Sequence, residues 1–175
     1  MKKNIVAVLL VITLSTAALF ADPVSFDVST QVAGLNYLAI TDAEFTGTTM
    51  GAWNTFMPAN TVEGAVPITT SPLAYVNVVN NKRAGVAVYV KADKMEANTS
   101  GNNYKIDYSV TVNGATYSTA TSTANVMFVT AAQSAATSGL FLESYPVTAA
   151  VVQTSFDNAP EDTYVGTITF TFSAT

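Results

Sequence analysis

The chain has 175 residues and a formal net charge of -5, from 12 acidic and 7 basic side chains. It contains no His and no Cys, which removes Ser/His and Cys/His nucleophile pairs, zinc sites of the usual nitrogen and sulfur ligands, and disulfides. The acidic balance argues against nucleic acid or an anionic membrane surface as a partner.

Met1, Lys2 and Lys3 make a basic start, residues 5–14 are apolar except for Thr13, and small residues lead to Ala21 ahead of Asp22. This order predicts a secretory signal peptide over residues 1–21. Cleavage after Ala18 is the alternative, because Leu19 stands where a small residue is preferred. The apolar run is shorter than the roughly 20 residues of a spanning helix, so no membrane span is expected after cleavage. No Cys follows it to carry a lipid anchor. The expectation is therefore a single exported domain over residues 22–175, located in the periplasm, at the cell surface or outside the cell. Without the first 21 residues the chain carries 5 bases against 12 acids. Thr, Ser and Asn together supply 52 of the 175 residues, a composition suited to pleated surfaces and turns rather than to helices.

Residues 24–32 alternate apolar and polar, which puts Val24, Phe26, Val28 and, further along, Val32 on one face of a strand. After Gly34, residues 35–40 predict a second, short strand. Glycines and prolines break any pattern over residues 41–72. A structureless loop of that length is unusual, so a short strand or one helical turn is expected there to carry Trp53 onto the core. Residues 73–79 and 86–90 are apolar at consecutive positions, as in strands covered on both faces. The polar, Gly-ended segment between them predicts a hairpin.

Residues 104–112 alternate strictly. Asn113-Gly114 then supplies the preferred pair for a two-residue type I′ turn, with the return strand over 115–119. Residues 125–130 predict a further strand. Residues 140–142 and 147–152 make one long strand or two, split at Pro146, which belongs at an edge or a bend because it cannot donate a ladder hydrogen bond. The last run, 166–172, alternates again, with Ile168, Phe170 and Phe172 on one face and threonines on the other. Roughly seven to nine strands without a long helical pattern predict an all-β fold, an Ig-like antiparallel β-sandwich.

Several groups could carry chemistry. The pairs Asp42/Glu44, Asp93/Glu96 and Glu161/Asp162 have the residue types for glycan hydrolysis, but all sit in turn-like segments, so no enzyme activity is expected. Residues 98–103 and 157–162 have a calcium-loop composition without an EF-hand spacing. Trp53 with Phe56 would make a sugar-stacking patch if exposed. Tyr164 stands where a sandwich tyrosine bonds back to the preceding turn. Nothing calls for a cofactor.

The segment from Ala159 to Phe170 resembles the last strand of fimbrial and other surface Ig-like subunits, with its turn followed by Tyr164, Gly166 and an alternating strand. Val24, Phe26 and Val28 resemble the donor strand of chaperone–usher pilins, especially those lacking cysteine. The run from Lys82 to Val90 is similar to a middle strand of such proteins. The resemblance implies an incomplete sandwich whose groove takes the N-terminal segment of the next subunit. In that picture Val24, Phe26, Val28 and Val32 insert into a neighbour, while the terminal strand with Tyr164, Ile168, Phe170 and Phe172 is offered to a periplasmic chaperone. The partner would be another copy or a related surface subunit, in a structural or adhesive role. A self-contained binding module for carbohydrate or calcium is the alternative. The chain departs from the pilin pattern in lacking the disulfide and in its long 41–72 segment.

Overall fold

The computed structural model describes Ser29, Thr30, Val32 and residues 34–136 and 139–173. The chain divides into two compact units, Met1–Ala33 and Gly34–Thr175. The elements below all belong to the second. The expected signal segment and the residues Val24, Phe26 and Val28 lie outside the described residues. Val32 is described and is 80% exposed.

The strands are β1 (Asn36–Thr41), β2 (Ala74–Asn80), β3 (Val88–Ala92), β4 (Met95–Ala97), β5 (Lys105–Ile106), β6 (Tyr108–Val112), β7 (Ala115–Ser118), β8 (Val126–Val129), β9 (Phe141–Val151), β10 (Tyr164–Val165) and β11 (Ile168–Phe172). Among the described residues three short helices accompany them: α1 (Met50–Asn60), α2 (Ala131–Ser134) and α3 (Gln153–Asp157). The strands form three antiparallel sheets, ordered β1-β2-β9-β6-β7, β10-β4-β5 and β11-β3-β8. The architecture is all-β and sandwich-like.

The two small sheets run on from one another. Asp93 N–H donates to Thr167 O at 3.0 Å and Asn98 N–H to Thr163 O at 2.9 Å, which joins β3–β4 to β10–β11 along their whole length. Val165 pairs with Glu96 and Ile168 with Ala92, so three residues on one side face two on the other. That is a one-residue bulge at residues 93–95. It reverses the alternation, so Met95 faces the core cluster that also holds Val88, Val90 and Ala92.

The core explains the apolar runs. Val76 and Val78 of β2 pack with Tyr108, Val110, Val112, Phe128 and Val147. Val79 on the opposite face of β2 packs with Phe45 and Trp53. A strand buried on both faces needs no alternation. In the hairpin after β6, Val112 pairs with Ala115 across Asn113 (φ 47°) and Gly114 (φ 74°). Both values lie in the positive region that this turn requires.

Four expectations need correction. Residues 73–79 and 86–90 are not a hairpin: β2 pairs with β1 and β9, while β3 pairs with β11 and β8. Their connection is an arch between sheets, pinned to α2. Asn80 Nδ2 donates to Ser134 O at 2.8 Å, and Ser134 Oγ accepts from Val86 N–H at 2.7 Å while donating to Val86 O at 2.6 Å. Gly85 completes it with φ 71°, and a Cβ there would stand 1.8 Å from Ala131 O. The run 104–112 divides at Asp107, passing from the β10-β4-β5 sheet into the five-stranded one.

Residues 41–72 hold neither a short strand nor a single turn but the three-turn α1, capped by Thr49, whose side chain accepts from Ala52 N–H. It does carry Trp53 to the core, at 5% exposure. Finally, of the two arrangements expected around Pro146 the single long strand is the one formed, and the proline lies within this central strand rather than at an edge or bend. Val147 O accepts from Leu73 N–H on the β2 side, so the nitrogen of Pro146 faces the other neighbour. There β6 pairs only from Val147 onward, and the proline forfeits no ladder bond.

Candidate functional site

The last strand positions the site. Asp93 N–H donates to Thr167 O, and Ser173 N–H donates to Ala87 O at 2.8 Å. Odd-numbered residues of this run therefore turn their backbone groups toward β3–β4. Because backbone polarity alternates along a strand, the N–H and C=O groups of Ile168, Phe170 and Phe172 face the opposite way, toward a free edge. Among the described residues no strand pairs with that edge. The side chains of the same three residues are half-buried against the core, while Thr169 and Thr171 are exposed.

Beside this edge lies a groove of about 520 Å³. Its floor is the five-stranded sheet, with Ala74 from β2, Val147 and Ala149 from β9 and Tyr108 from β6. Met95 and the chain from Thr163 to Phe170 form one wall, and Ile40 with the segment from Val62 to Ile68 forms the rim. The lining is almost wholly aliphatic and aromatic. Three of the exposed large apolar residues, Ile40, Val66 and Val165, stand around it. Gly166 permits the close approach of wall to floor, because a Cβ there would meet Tyr108 Oη at 2.8 Å and Met95 Cγ at 3.0 Å. Burial, with smaller contributions from Asp93 and Tyr117, pushes the Tyr108 phenol up to about 12. Its hydroxyl stays neutral at ordinary pH and donates to Thr167 O at 3.4 Å.

At the far end of the wall a polar clasp fixes β10. The Asp162 carboxylate accepts from Thr163 N–H at 2.7 Å, Asn102 Nδ2 at 2.9 Å, Thr99 Oγ at 3.0 Å and Thr99 N–H at 3.2 Å. Tyr164 Oη donates to Pro160 O at 3.0 Å, the backward bond expected of a sandwich tyrosine. Desolvation raises the Asp162 carboxyl, but the donors from Asn102, Thr163 and Thr99 outweigh it and hold it below the ordinary 3.8. The two segments with calcium-loop composition thus meet, yet the carboxylate that joins them, that of Asp162, is occupied by hydrogen-bond donors. Among the described residues, no three acidic side chains gather to hold a metal ion.

The other candidates form no single site, although Asp93 and Glu96 line one polar cleft with Lys94 and Lys105. Asp42 and Glu44 are exposed. Asp93 lies 3.5 Å from Lys91, Glu96 pairs with Lys105, and Lys94 lies 3.0 Å from Asp107. Trp53 is buried edge-on against Phe45, with centroids 5.2 Å apart, so it presents no face for a sugar. The one-sided terminal strand was legible in the alternation of 166–172, but not that its outer edge is unpaired. The groove was not, because its floor and rim come from four separate stretches of chain. No helix among the described residues is long and apolar enough to cross a membrane. No family model, curated protein or solved structure matches this chain.

Proposed function

We propose that the protein is an exported structural or adhesive surface subunit that assembles by strand donation. The observation that supports this is the apolar groove of about 520 Å³ lying along an edge whose backbone groups, at Ile168, Phe170 and Phe172, have no strand partner among the described residues. An incoming strand would take main-chain hydrogen bonds from that edge and set every second side chain into the groove. Residues 22–33 of another copy fit the requirement, because Val24, Phe26 and Val28 recur every second position, about 7 Å apart. The acceptor is then an Ig-like sandwich short of one strand. Before assembly, a periplasmic chaperone strand would meet the same need for an exposed edge.

The test compares the protein from residue 22 with one that starts at residue 34, by size-exclusion chromatography with light scattering, and adds a synthetic 22–33 peptide. The longer protein is expected to form higher oligomers. The shorter one is expected to remain monomeric and to bind the peptide, but not a peptide carrying Phe26→Asp. If truncation changes neither assembly nor peptide uptake, strand donation is wrong.

A further inference from the structure

The turn that follows β4 carries chemistry that strand donation leaves unused. Residues 96–100 read Glu96, Ala97, Asn98, Thr99, Ser100. Asn98 with Ser100 two positions on, and no proline between, is the acceptor pattern for N-linked glycosylation. Of the 13 asparagines it is the only one with Ser or Thr at that spacing. Glu96 extends the pattern to the acidic form that oligosaccharyltransferases of bacterial type read.

The fold presents this acceptor rather than hiding it. Asn77 and Asn80 are buried, and the side-chain amides of Asn60, Asn113 and Asn158 donate to the carbonyls of Phe56, Phe128 and Thr154. Asn98 and Ser100 are exposed, and among the described residues neither side chain makes a hydrogen bond. Thr99 between them does the anchoring, through its N–H and hydroxyl to Asp162. The reactive amide and the hydroxyl that must be recognised with it are thus left to solvent while the turn itself stays fixed.

We propose that Asn98 is an N-glycan acceptor, the donor being a polyprenyl-diphosphate-linked oligosaccharide. The Asn98 amide nitrogen attacks C1 of the first sugar, forming the N–C1 bond as the C1–O bond to the diphosphate breaks. The amide gives up one proton to an enzyme base, and the lipid diphosphate leaves with the bonding pair. No oxidant or reductant enters. The modification requires export but not strand donation.

The test incubates the folded protein from residue 22 with a bacterial-type oligosaccharyltransferase and a polyprenyl-diphosphate-linked glycan in detergent, followed by intact-mass and peptide mass spectrometry. One added glycan on Asn98 is expected. It is lost in Asn98→Gln and Ser100→Ala, retained in Ser100→Thr and diminished in Glu96→Gln, with circular dichroism unchanged in all four. A glycan that persists in Asn98→Gln overturns the proposal. So does a folded protein that stays unmodified while a 94–102 peptide accepts the glycan, because the fold would then withhold the site.

Discussion

The two sides of the five-stranded sheet are finished differently. Over β1, β2 and β9 the outer face is sealed by α1, which brings Trp53 to 5% exposure against Phe45 at 6%. On the inner side, next to β10–β11, a groove of about 520 Å³ stays open although its residues are just as apolar. The contrast lies in the backbone. A helix satisfies its own hydrogen bonds and can lie on any apolar face. The rim segment has no such independence: it is held by a bond from Val62 N–H to Ile40 O at 3.4 Å and an internal one from Thr70 N–H to Pro67 O at 2.9 Å. It can border an open strand edge but cannot pair with it. A helix closes a face, whereas the backbone hydrogen bonds of an open edge are completed by another strand.

The contrast breaks if the two sides prove equally tight. Trp53→Ala is expected to cost about 3–5 kcal/mol, because it empties a closed site. Phe170→Ala removes a ring that is only half-buried, and is expected to cost roughly 1–2 kcal/mol. Urea denaturation of both variants gives the comparison. Equal losses would mean that the groove is ordinary core, and the reading of an unfilled acceptor would go with it.

Sequence patterning revealed the terminal strand and its buried face far better than the groove beside it. Alternation in 166–172 put Ile168, Phe170 and Phe172 on one face, and Asn113-Gly114 specified its hairpin, because both depend on neighbours in the chain. The arch from β2 to β3 escaped because its stabilising partner, Ser134, lies 48 residues from Val86. Local turn chemistry cannot distinguish a hairpin from an arch when the deciding hydrogen bond comes from so far away. Pro146 misled for a related reason: its effect depends on where β6 stops, not on its own strand. The α1 helix was obscured by Gly51 and Pro58 at its two ends, positions where neither residue breaks the central turn holding Trp53.

High pH sharpens the picture of the groove floor. The Tyr108 pKa is raised from 10.0 to about 12, so the folded state holds the phenolic proton more tightly than the unfolded state. The resulting stabilisation is complete below pH 10 and is lost as pH rises through about 12. Its size is on the order of 2 kcal/mol. Tyr108→Phe should therefore show a shallower alkaline decline in stability. Part of the slope should remain, since burial, aided by Glu143, also raises Tyr145 to about 12. Coincident curves for the variant and the parent would place Tyr108 in water.

Filling the groove separates stability from assembly. Ala149 lines the floor beside open volume. Ala149→Leu is thus expected to change stability by less than about 1 kcal/mol, where the same enlargement in a closed core costs about 1–3. The added side chain should nevertheless reduce uptake of the 22–33 peptide. A large loss of stability would show that the space is already occupied, while unchanged peptide binding would move the acceptor elsewhere.

The smallest expected effect concerns the clasp that holds the wall. Desolvation works against ionisation of Asp162, but the donors from Asn102, Thr163 and Thr99 prevail and leave its carboxyl below 3.8. A carboxyl depressed by folding stabilises the protein above its unfolded pKa, and that contribution fades as pH falls through the lower folded value. Asp162→Asn keeps one acceptor oxygen, so it should weaken the protein slightly at neutral pH and lose that difference in acid. Carbon-detected NMR of the Asp162 carboxyl reads the cause directly. A midpoint below 3.8 is expected, whereas a midpoint at or above that value would mean that the four donors do not hold the charged form. Without that hold, the wall beside the open edge would rest on its backbone bonds to β3–β4 together with Tyr164 and Gly166.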